Sequence, residues 1–349
     1  MSYKWTVPRS ERRVLRRAVV AATTLTLLSA CTGGNEAGPA ATTGPTYNPT
    51  GQIVVLSGRF QINVTALDAA TDREREVALP VFARGTYASG WPGPDGRFYA
   101  MPLSFGQTTQ NQMFLLGPRV RPQRIGPPVA GVTGFQVTAG RALTWGCPGD
   151  MQLLDLAAPT AWRTIGKACA ASLSPDGRRV AYASHSALFV MDLPDGTPRE
   201  VLRFRDLPEL KESNVAPQSL DAVAWGAPGV AVAVGDASRS AIVVWREHGA
   251  PVVDSLGTAQ LGTMQWQPGG RLLAFLEFLP AGEVFTFDPD TGDERQVGIS
   301  RDAGQVSWAP DGKVLALARS LNVMALIDTQ GRQVGTLTSS GVPLLWMQS

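Results

Sequence analysis

Short apolar runs separated by turn-forming residues recur along most of this 349-residue chain. The stretch SLSPDGRRVAYASHSALFVMDLPDGTPREVL at 172–202 contains four such runs and two Pro-Asp-Gly tripeptides. Each run has the length of a strand, and its boundaries carry proline, aspartate or glycine, the residues that tight turns require. The pattern predicts a four-stranded antiparallel meander, with the two tripeptides as its first and third turns.

The same order of runs and turns occurs seven times. The glycines of the first turns serve as markers, and they are Gly51, Gly96, Gly140, Gly177, Gly229, Gly270 and Gly312, spaced 45, 44, 37, 52, 41 and 42 residues apart. The third strand often ends in aspartate, at Asp68, Asp155, Asp192, Asp288 and Asp328. A period of about 40 to 45 residues with four strands per copy is typical of propeller blades. We therefore predict an all-β fold, a seven-bladed β-propeller over residues 51–349.

The C-terminal segment VPLLWMQS predicts how the ring closes. Trp346 resembles the tryptophans that precede three of the marker glycines by four residues, Trp225, Trp266 and Trp308. It would then belong to a last strand that completes the first blade. The alternative is that Tyr47, four residues before Gly51, ends this strand instead. We favour Trp346 because residues 32–46 show no strand pattern. These tryptophans, with Trp91, are expected to pack between blades.

Two segments carry a family resemblance. SLSPDGRRVAYASHSALFVMDLPDGTPREVL and VSWAPDGKVLALARSLNVMALIDTQGRQVGTL, at 172–202 and 306–337, resemble TolB-like and WD-type β-propeller repeats. The resemblance extends over nearly all of residues 51–349. It implies the fold and leaves the function open, because propellers serve as binding modules, scaffolds and enzymes.

The N-terminal residues predict export. Four arginines within residues 12–17 precede an uncharged run, Ala18–Ala30, which is too short to span a bilayer. The run ends in Leu-Ser-Ala before Cys31, and this order resembles the lipobox of bacterial lipoproteins. We therefore predict a lipoprotein signal peptide at 1–30, a lipid such as palmitate on Cys31, and anchoring to the extracytoplasmic side of a membrane in the cell envelope. An ordinary cleaved signal remains the alternative, and both Sec and twin-arginine export stay open.

Composition and charge predict a tether and limit the kinds of partner that the protein can bind. Residues 31–50 are rich in Gly, Pro, Thr and Ala and predict a flexible tether. The whole chain has a net charge of +2, and residues 1–30 carry six Lys/Arg and one Glu, so the remainder is near −3 (2 − 5). A protein with this balance has no basic excess to follow a phosphate backbone, and no nucleic-acid partner is expected.

The predicted topology gives the ring two different ends. The first and third turns of every blade lie at one end, which we call the tight-turn end. The second turns and the links between blades lie at the other, the irregular end, where the loops vary in length. Binding sites usually form on variable loops held by a rigid frame. Candidate partner-binding residues at the irregular end are Phe105, Gln107, Asn111 and Arg239.

Two further cysteines fall at the irregular end of adjacent blades. Cys147 follows the second strand of blade 3, and Cys169 lies in the link that enters blade 4. A disulfide between them is predicted if their Cα atoms lie about 4.4–6.8 Å apart. Two unpaired thiols are the alternative.

Motifs for catalysis or metal binding are lacking in the sequence. His185 and His248 lie in predicted turns without metal-ligand spacing, and neither a nucleophile elbow nor a phosphate-binding loop occurs. The segment DPDTGDE contains Asp288, Asp290 and Asp293. We favour a hairpin turn for it over the alternative, a calcium site. No catalytic residue, metal or cofactor is therefore assigned.

Two functional hypotheses follow, with a third beside them. The first is a monomeric, non-enzymatic propeller that binds a protein, a peptide or a cell-envelope component at its irregular end. The second is a hydrolase or lyase acting on a sugar or peptide at the mouth of the central channel, which would need converging ionisable side chains. The third is a sensor subunit beside a membrane partner.

Overall fold

In a computed structural model the chain divides into Met1–Pro45 and a compact unit, Thr46–Ser349. The described residues are 47–57, 63–79, 87–103, 110–147, 149–184, 186–213, 215, 219–235, 239–257, 261–277, 282–300, 306–320, 323–339 and 341–348. The predicted signal peptide at 1–30, Cys31 and most of the predicted tether therefore lie outside the described residues.

Within these described residues, twenty-eight strands form seven four-stranded antiparallel sheets, which confirms the predicted seven-bladed propeller. Blade 1 contains β1 (Gln52–Ser57), β2 (Asn63–Asp68), β3 (Arg73–Glu76) and the last strand, β28 (Val342–Met347). Blade 2 contains β4 (Tyr87–Pro92), β5 (Phe98–Leu103), β6 (Gln110–Leu116) and β7 (Gln123–Ala130). Blade 3 contains β8 (Gly134–Thr138), β9 (Arg141–Trp145), β10 (Asp150–Asp155) and β11 (Arg163–Lys167). Blade 4 contains β12 (Ala170–Leu173), β13 (Arg179–Ala183), β14 (Ala187–Asp192) and β15 (Arg199–Arg203).

The remaining three blades follow the same order. Blade 5 contains β16 (Ser219–Gly226), β17 (Gly229–Gly235), β18 (Ser240–Trp245) and β19 (Val252–Gly257). Blade 6 contains β20 (Leu261–Trp266), β21 (Leu273–Glu277), β22 (Glu283–Asp288) and β23 (Asp293–Ile299). Blade 7 contains β24 (Val306–Trp308), β25 (Val314–Ser320), β26 (Val323–Asp328) and β27 (Gln333–Thr338). The first strands of successive blades contact one another in a closed cycle from β28 through β4 and back to β24.

Each blade buries both faces against its neighbours, which explains the nearly continuous apolar runs. In β17, Val230, Val232 and Val234 pack with residues of blade 4. Ala231 and Ala233, on the opposite face of the same strand, pack with residues of blade 6. A sheet covered on both faces selects apolar residues at successive positions rather than at alternate ones.

The C-terminal strand closes the ring as predicted. β28 pairs antiparallel with β1, and Trp346 lies opposite Ile53. Trp346 is 4% exposed, and its ring N–H donates to the carbonyl oxygen of Thr50 at 2.8 Å. Tyr47 lies outside the strands, so the alternative closure is wrong. Its ring instead contacts Trp346 edge to face, with 6.4 Å between centroids.

The turns use the predicted residues with one shift. The marker glycines adopt positive φ in six blades, but in blade 6 this conformation belongs to Gly269 (φ +63°) instead of Gly270. A Cβ at Gly270 would meet the side chain of Gln267, which would have to shift to make room for it. The prediction for blade 6 is therefore off by one residue. Four aspartates that end third strands accept backbone N–H groups of the next turn, and they are Asp68, Asp155, Asp288 and Asp328. Asp328 Oδ1 accepts the N–H groups of Gln330 and Arg332, both at 2.9 Å.

Polar side chains in the first strands tie neighbouring blades together, and the sequence reading missed them. Gln136 of blade 3 accepts the backbone N–H of Leu173 in blade 4 at 2.7 Å. Ser307 of blade 7 accepts the N–H of Trp346 in blade 1 at 2.8 Å. Gln265 accepts the N–H of Trp308 at 3.1 Å in the same way. Two of the three carried a local signal, because Gln265 and Ser307 each directly precede a tryptophan of the repeat, whereas Gln136 precedes Val137.

The link between blades 4 and 5 is folded. It contains a 3-10 turn, Phe204–Asp206, and a short helix, Pro208–Glu212. Phe204, Leu207 and Leu210 are buried in the core shared by the two blades. Pro208 is the first residue of this helix, a position at which proline is common, and it is the local sequence signal for the helix.

Within the part of the chain that the structure describes, no helix has the length and apolar character needed to cross a bilayer.

Candidate functional site

The two ends of the ring differ in the structure as the topology requires. Because all strand pairs within a blade are antiparallel, the first and third turns share one end. The chain enters the ring at this tight-turn end, where the Tyr47 hydroxyl donates to Asp311 Oδ1 at 3.2 Å. Burial, followed by the negative charge of Asp311 and this hydrogen bond, raises the pKa of Tyr47 well above its usual value. Tyr47 therefore stays neutral and holds the chain against blade 7.

A disulfide spans blades 3 and 4 at the irregular end. The sulfur atoms of Cys147 and Cys169 lie 1.96 Å apart, and their Cα atoms are 4.3 Å apart. The bond is formed as predicted, although the Cα distance falls just below the expected range of about 4.4–6.8 Å. Cys147 is exposed and Cys169 is half-buried, so the bond lies at the surface of the irregular end.

Arg239 connects two elements of this irregular end. Its Nη1 donates to the carbonyl oxygen of Ser213 at 2.7 Å. Ser213 follows the short helix Pro208–Glu212, and Arg239 precedes β18. The hydrogen bond thus ties the folded link to the second turn of blade 5. The helix places Glu209, Lys211 and Glu212 at the surface. We call the surface of Glu209, Lys211 and Glu212, with the Arg239–Ser213 hydrogen bond beside it, the platform.

The other predicted partner-binding residues have different outcomes. Phe105 and Gln107 lie outside the described residues, which omit 104–109. Asn111 was expected in the loop but lies inside β6, opposite Val129, and is 2% exposed. The expectation that Asn111 offers its side chain to a partner is therefore wrong for this structure, because β6 begins earlier than the sequence pattern suggested.

A groove of about 500 Å³ opens at the tight-turn end between blades 5 and 6. Arg246, Arg271 and Asp290 line it, with Gly269 and Gly270. Its charges neutralise one another: Arg246 Nη2 lies 2.6 Å from Asp290 Oδ1, and Arg271 Nε lies 3.0 Å from Asp288 Oδ2.

The segment DPDTGDE at the groove is a braced hairpin. Asp288 Oδ1 accepts the backbone N–H of Asp290 at 3.0 Å, and both carboxylates are paired with arginines. Across the described residues, no three His, Cys, Asp or Glu side chains are grouped as a metal ion would require. His248 is exposed in a turn, and His185 lies outside the described residues.

Two aspartates at turns have a lowered pKa, and two tyrosines have a raised pKa. A hydrogen bond from the Ser174 hydroxyl, with one from the backbone N–H of Arg178, lowers the pKa of Asp176. For Asp328, burial raises the pKa, but hydrogen bonds from Arg332 and Gln330 outweigh it and lower the pKa. Burial raises the pKa of Tyr99 and of Tyr182. Each shift has a local structural cause.

Comparisons with known proteins agree with the fold. No protein-family model matches the sequence, and no curated protein matches it. A putative 6-phosphogluconolactonase from Bacteroides uniformis has a TM-score of 0.57 at 13% identity, with 84% of this chain and 98% of that chain covered. Apo AztD from Citrobacter koseri has a TM-score of 0.53 at 14% identity, with 84% of each chain covered.

A chain of a mitotic checkpoint complex has a TM-score of 0.54 at 14% identity, with 82% of this chain and 96% of that chain covered. Structural similarity at such low sequence identity shows a shared propeller fold and nothing finer. Structures described as a putative lactonase and as part of an assembly share this class, so the fold alone does not separate catalysis from binding.

Proposed function

We propose that the protein is a lipid-anchored, extracytoplasmic β-propeller that binds a protein, peptide or cell-envelope component at its irregular end. The observation that carries the proposal is the folded link between blades 4 and 5, fastened to blade 5 through Arg239. A fixed surface loses little conformational freedom when a partner binds, and preorganisation of this kind increases affinity.

Two features of the irregular end support this assignment. The disulfide at Cys147 and Cys169 fixes the loops of the adjacent seam, between blades 3 and 4. The helix surface carries Glu209, Lys211 and Glu212 in the open, while its apolar residues are committed to the core. A partner would meet polar side chains on a rigid base, as in the rim of a protein interface.

The test of binding places a photo-cross-linking amino acid at Lys211 in the full chain, expressed in its own cells. A matched probe replaces His248, which is exposed in a turn at the tight-turn end. A discrete protein or cell-wall adduct is expected from position 211, and Arg239→Ala should reduce its yield because the platform loses its tie. Equal adducts from both positions, or an adduct from 211 unaffected by Arg239→Ala, would contradict the assignment.

The lipid anchor has its own test. Cells are grown with an alkyne analogue of palmitate, and the protein is isolated and labelled. The wild type is expected to carry label, and Cys31→Ala should abolish it. The double variant Cys147→Ser/Cys169→Ser is the control, because it removes thiols without touching the predicted lipidation site. Label that persists in Cys31→Ala would refute the anchor.

A further inference from the structure

Four arginines lie at the outer edge of the seam between blades 1 and 2, and none of them has an acidic partner among the described residues. Arg75 in β3 lies opposite Ala66, whose side chain packs toward blade 2. Arg124 in β7 lies opposite Phe114, whose side chain packs toward blade 1. Residues directly opposite each other on paired strands point to the same face. Arg75 and Arg124 therefore extend from opposite walls of one seam.

The third turn of blade 2 adds two more arginines to this seam. A β-bridge between Val77 and Pro118 joins it to blade 1. Arg119 and Arg121 follow in the turn, and all four arginines of the seam are exposed. We call Arg75, Arg119, Arg121 and Arg124 the basic seam.

Acidic residues of blade 1 do not neutralise it. Glu74 and Glu76 alternate with Arg75 along β3 and lie opposite Leu67 and Thr65, on the face toward blade 7. Asp68 uses its carboxylate to accept backbone N–H groups of its own turn. Within the described residues, the four arginines make no ion pair and no side-chain hydrogen bond.

Two arginines at other seams pair with an acidic residue of the neighbouring blade. Arg163 of blade 3 pairs with Asp195 of blade 4 at 2.5 Å. Arg179 of blade 4 pairs with Glu247 of blade 5 at 3.3 Å. Close positive charges without counterions repel one another and destabilise a fold, so structural support does not explain the basic seam.

An exposed apolar residue lies among these charges. Val120 stands between Arg119 and Arg121 at the tip of the turn and is 43% exposed, one of three exposed large hydrophobic residues among those described. Basic residues around an apolar tip suit the boundary of a bilayer, where the tip enters the headgroup layer and the cations face lipid phosphates. The turn also lies at the tight-turn end, where the chain enters at Tyr47.

We propose that the basic seam binds the headgroups of anionic phospholipids, so that the tight-turn end faces the membrane and the irregular end faces away. This inference rests on the proposed lipid anchor, which would place that surface beside a membrane. A basic patch is a common second element of membrane attachment beside a lipid anchor. The seam would also fix an orientation that a tether cannot impose.

Vesicle binding tests the inference without the anchor. The chain from residue 31 carries Cys31→Ala and retains the whole compact unit Thr46–Ser349. It is mixed with vesicles of phosphatidylglycerol and phosphatidylcholine (three to seven) or of phosphatidylcholine alone. Arg119→Gln/Arg121→Gln is compared with Arg205→Gln/Lys211→Gln, which removes two positive charges from the link at the irregular end. Thermal unfolding midpoints confirm that both variants fold.

The seam variant should bind phosphatidylglycerol vesicles about 30-fold more weakly than its parent, since each basic residue near an anionic surface contributes about a fivefold change. The link variant should change binding less than twofold, and 0.5 M salt should remove the difference. An equal loss in both variants, or none in the seam variant, would overturn the proposal.

Soluble polyglutamate that binds the seam as tightly as the vesicles would point to an acidic protein and would also overturn it. If the vesicle experiment fails but palmitate labels the wild type, the lipid anchor is supported and the basic seam is not. If labelling fails but the seam variant loses vesicle binding, the basic seam is supported and the lipid anchor is not.

Discussion

The seams between blades 5 and 6 and between blades 1 and 2 both present arginines at the tight-turn end, but their surroundings differ. Arg246 and Arg271 face Asp290 and Asp288 at 2.6 and 3.0 Å. The four arginines of the basic seam pair with no carboxylate in the part of the chain that the structure describes. The arginines between blades 5 and 6 have their counterions within the molecule, whereas those of the basic seam would find theirs on a negatively charged partner.

The comparison separates residues that hold the ring together from residues that face outward. Exposed ion pairs across a seam contribute up to about 1 kcal/mol each, and most of the ring's stability must come from packing and closure. Changes at structural seams should therefore alter unfolding, and changes at the basic seam should alter binding.

Closure should give the largest effect. Trp346→Ala is expected to lower the free energy of unfolding by about 3–5 kcal/mol, because a buried indole that packs both ends of the chain is lost. Trp346→Phe should cost less, since it retains much of the packing and loses the hydrogen bond to Thr50. Denaturant unfolding measures both. If Trp346→Ala unfolds like the wild type, the ring does not depend on its last strand.

The disulfide should come next. Cys147→Ser/Cys169→Ser is expected to lower stability by about 3 kcal/mol, the chain-entropy value for a sequence separation of 22. A reductant should produce the same loss in the wild type and none in the double variant. If the reductant has no effect on the wild type, the two thiols are unpaired in the isolated protein. That result would contradict a disulfide between blades 3 and 4.

The carboxylate of Asp328 forms an ion pair within its own turn, so its contribution to stability should depend on pH. Arg332 Nε lies 2.7 Å from its Oδ2, and the folded-state pKa is below the usual 3.8. The stabilisation is therefore present above that value and is lost as the pH falls through the folded-state pKa. Asp328→Asn should cost about 1 kcal/mol at pH 7, with the difference from wild type shrinking in acid. A difference independent of pH would contradict the charge assignment.

The smallest effects contrast the two seams directly. Arg246→Gln should lower stability by up to about 1 kcal/mol, because Asp290 loses its partner. Arg121→Gln should change stability by less than about 0.5 kcal/mol, or raise it slightly, because it relieves repulsion among like charges. Unfolding at low and high salt distinguishes them. A larger loss from Arg121→Gln would make the basic seam structural.

The sequence predicted those features that depend on local periodicity. Turn residues at a 40-residue period identified the blades, and Trp346 without a following turn identified the closure. The shift from Gly270 to Gly269 and the placement of Asn111 in a strand show that element boundaries depend on tertiary packing. The basic seam could not be read in advance, because Arg75 and Arg124 come together only through strand register and the docking of two blades.

The most direct test of the central claim, that the two ends of the ring face different surroundings, uses one photo-cross-linking residue at a time in the full chain within its cells. Placed at Val120, it should form adducts with phospholipid, detected by mass spectrometry. Placed at Lys211, it should form adducts with protein or cell-wall material and none with phospholipid. Phospholipid adducts from position 211, or their absence at position 120, would contradict the account.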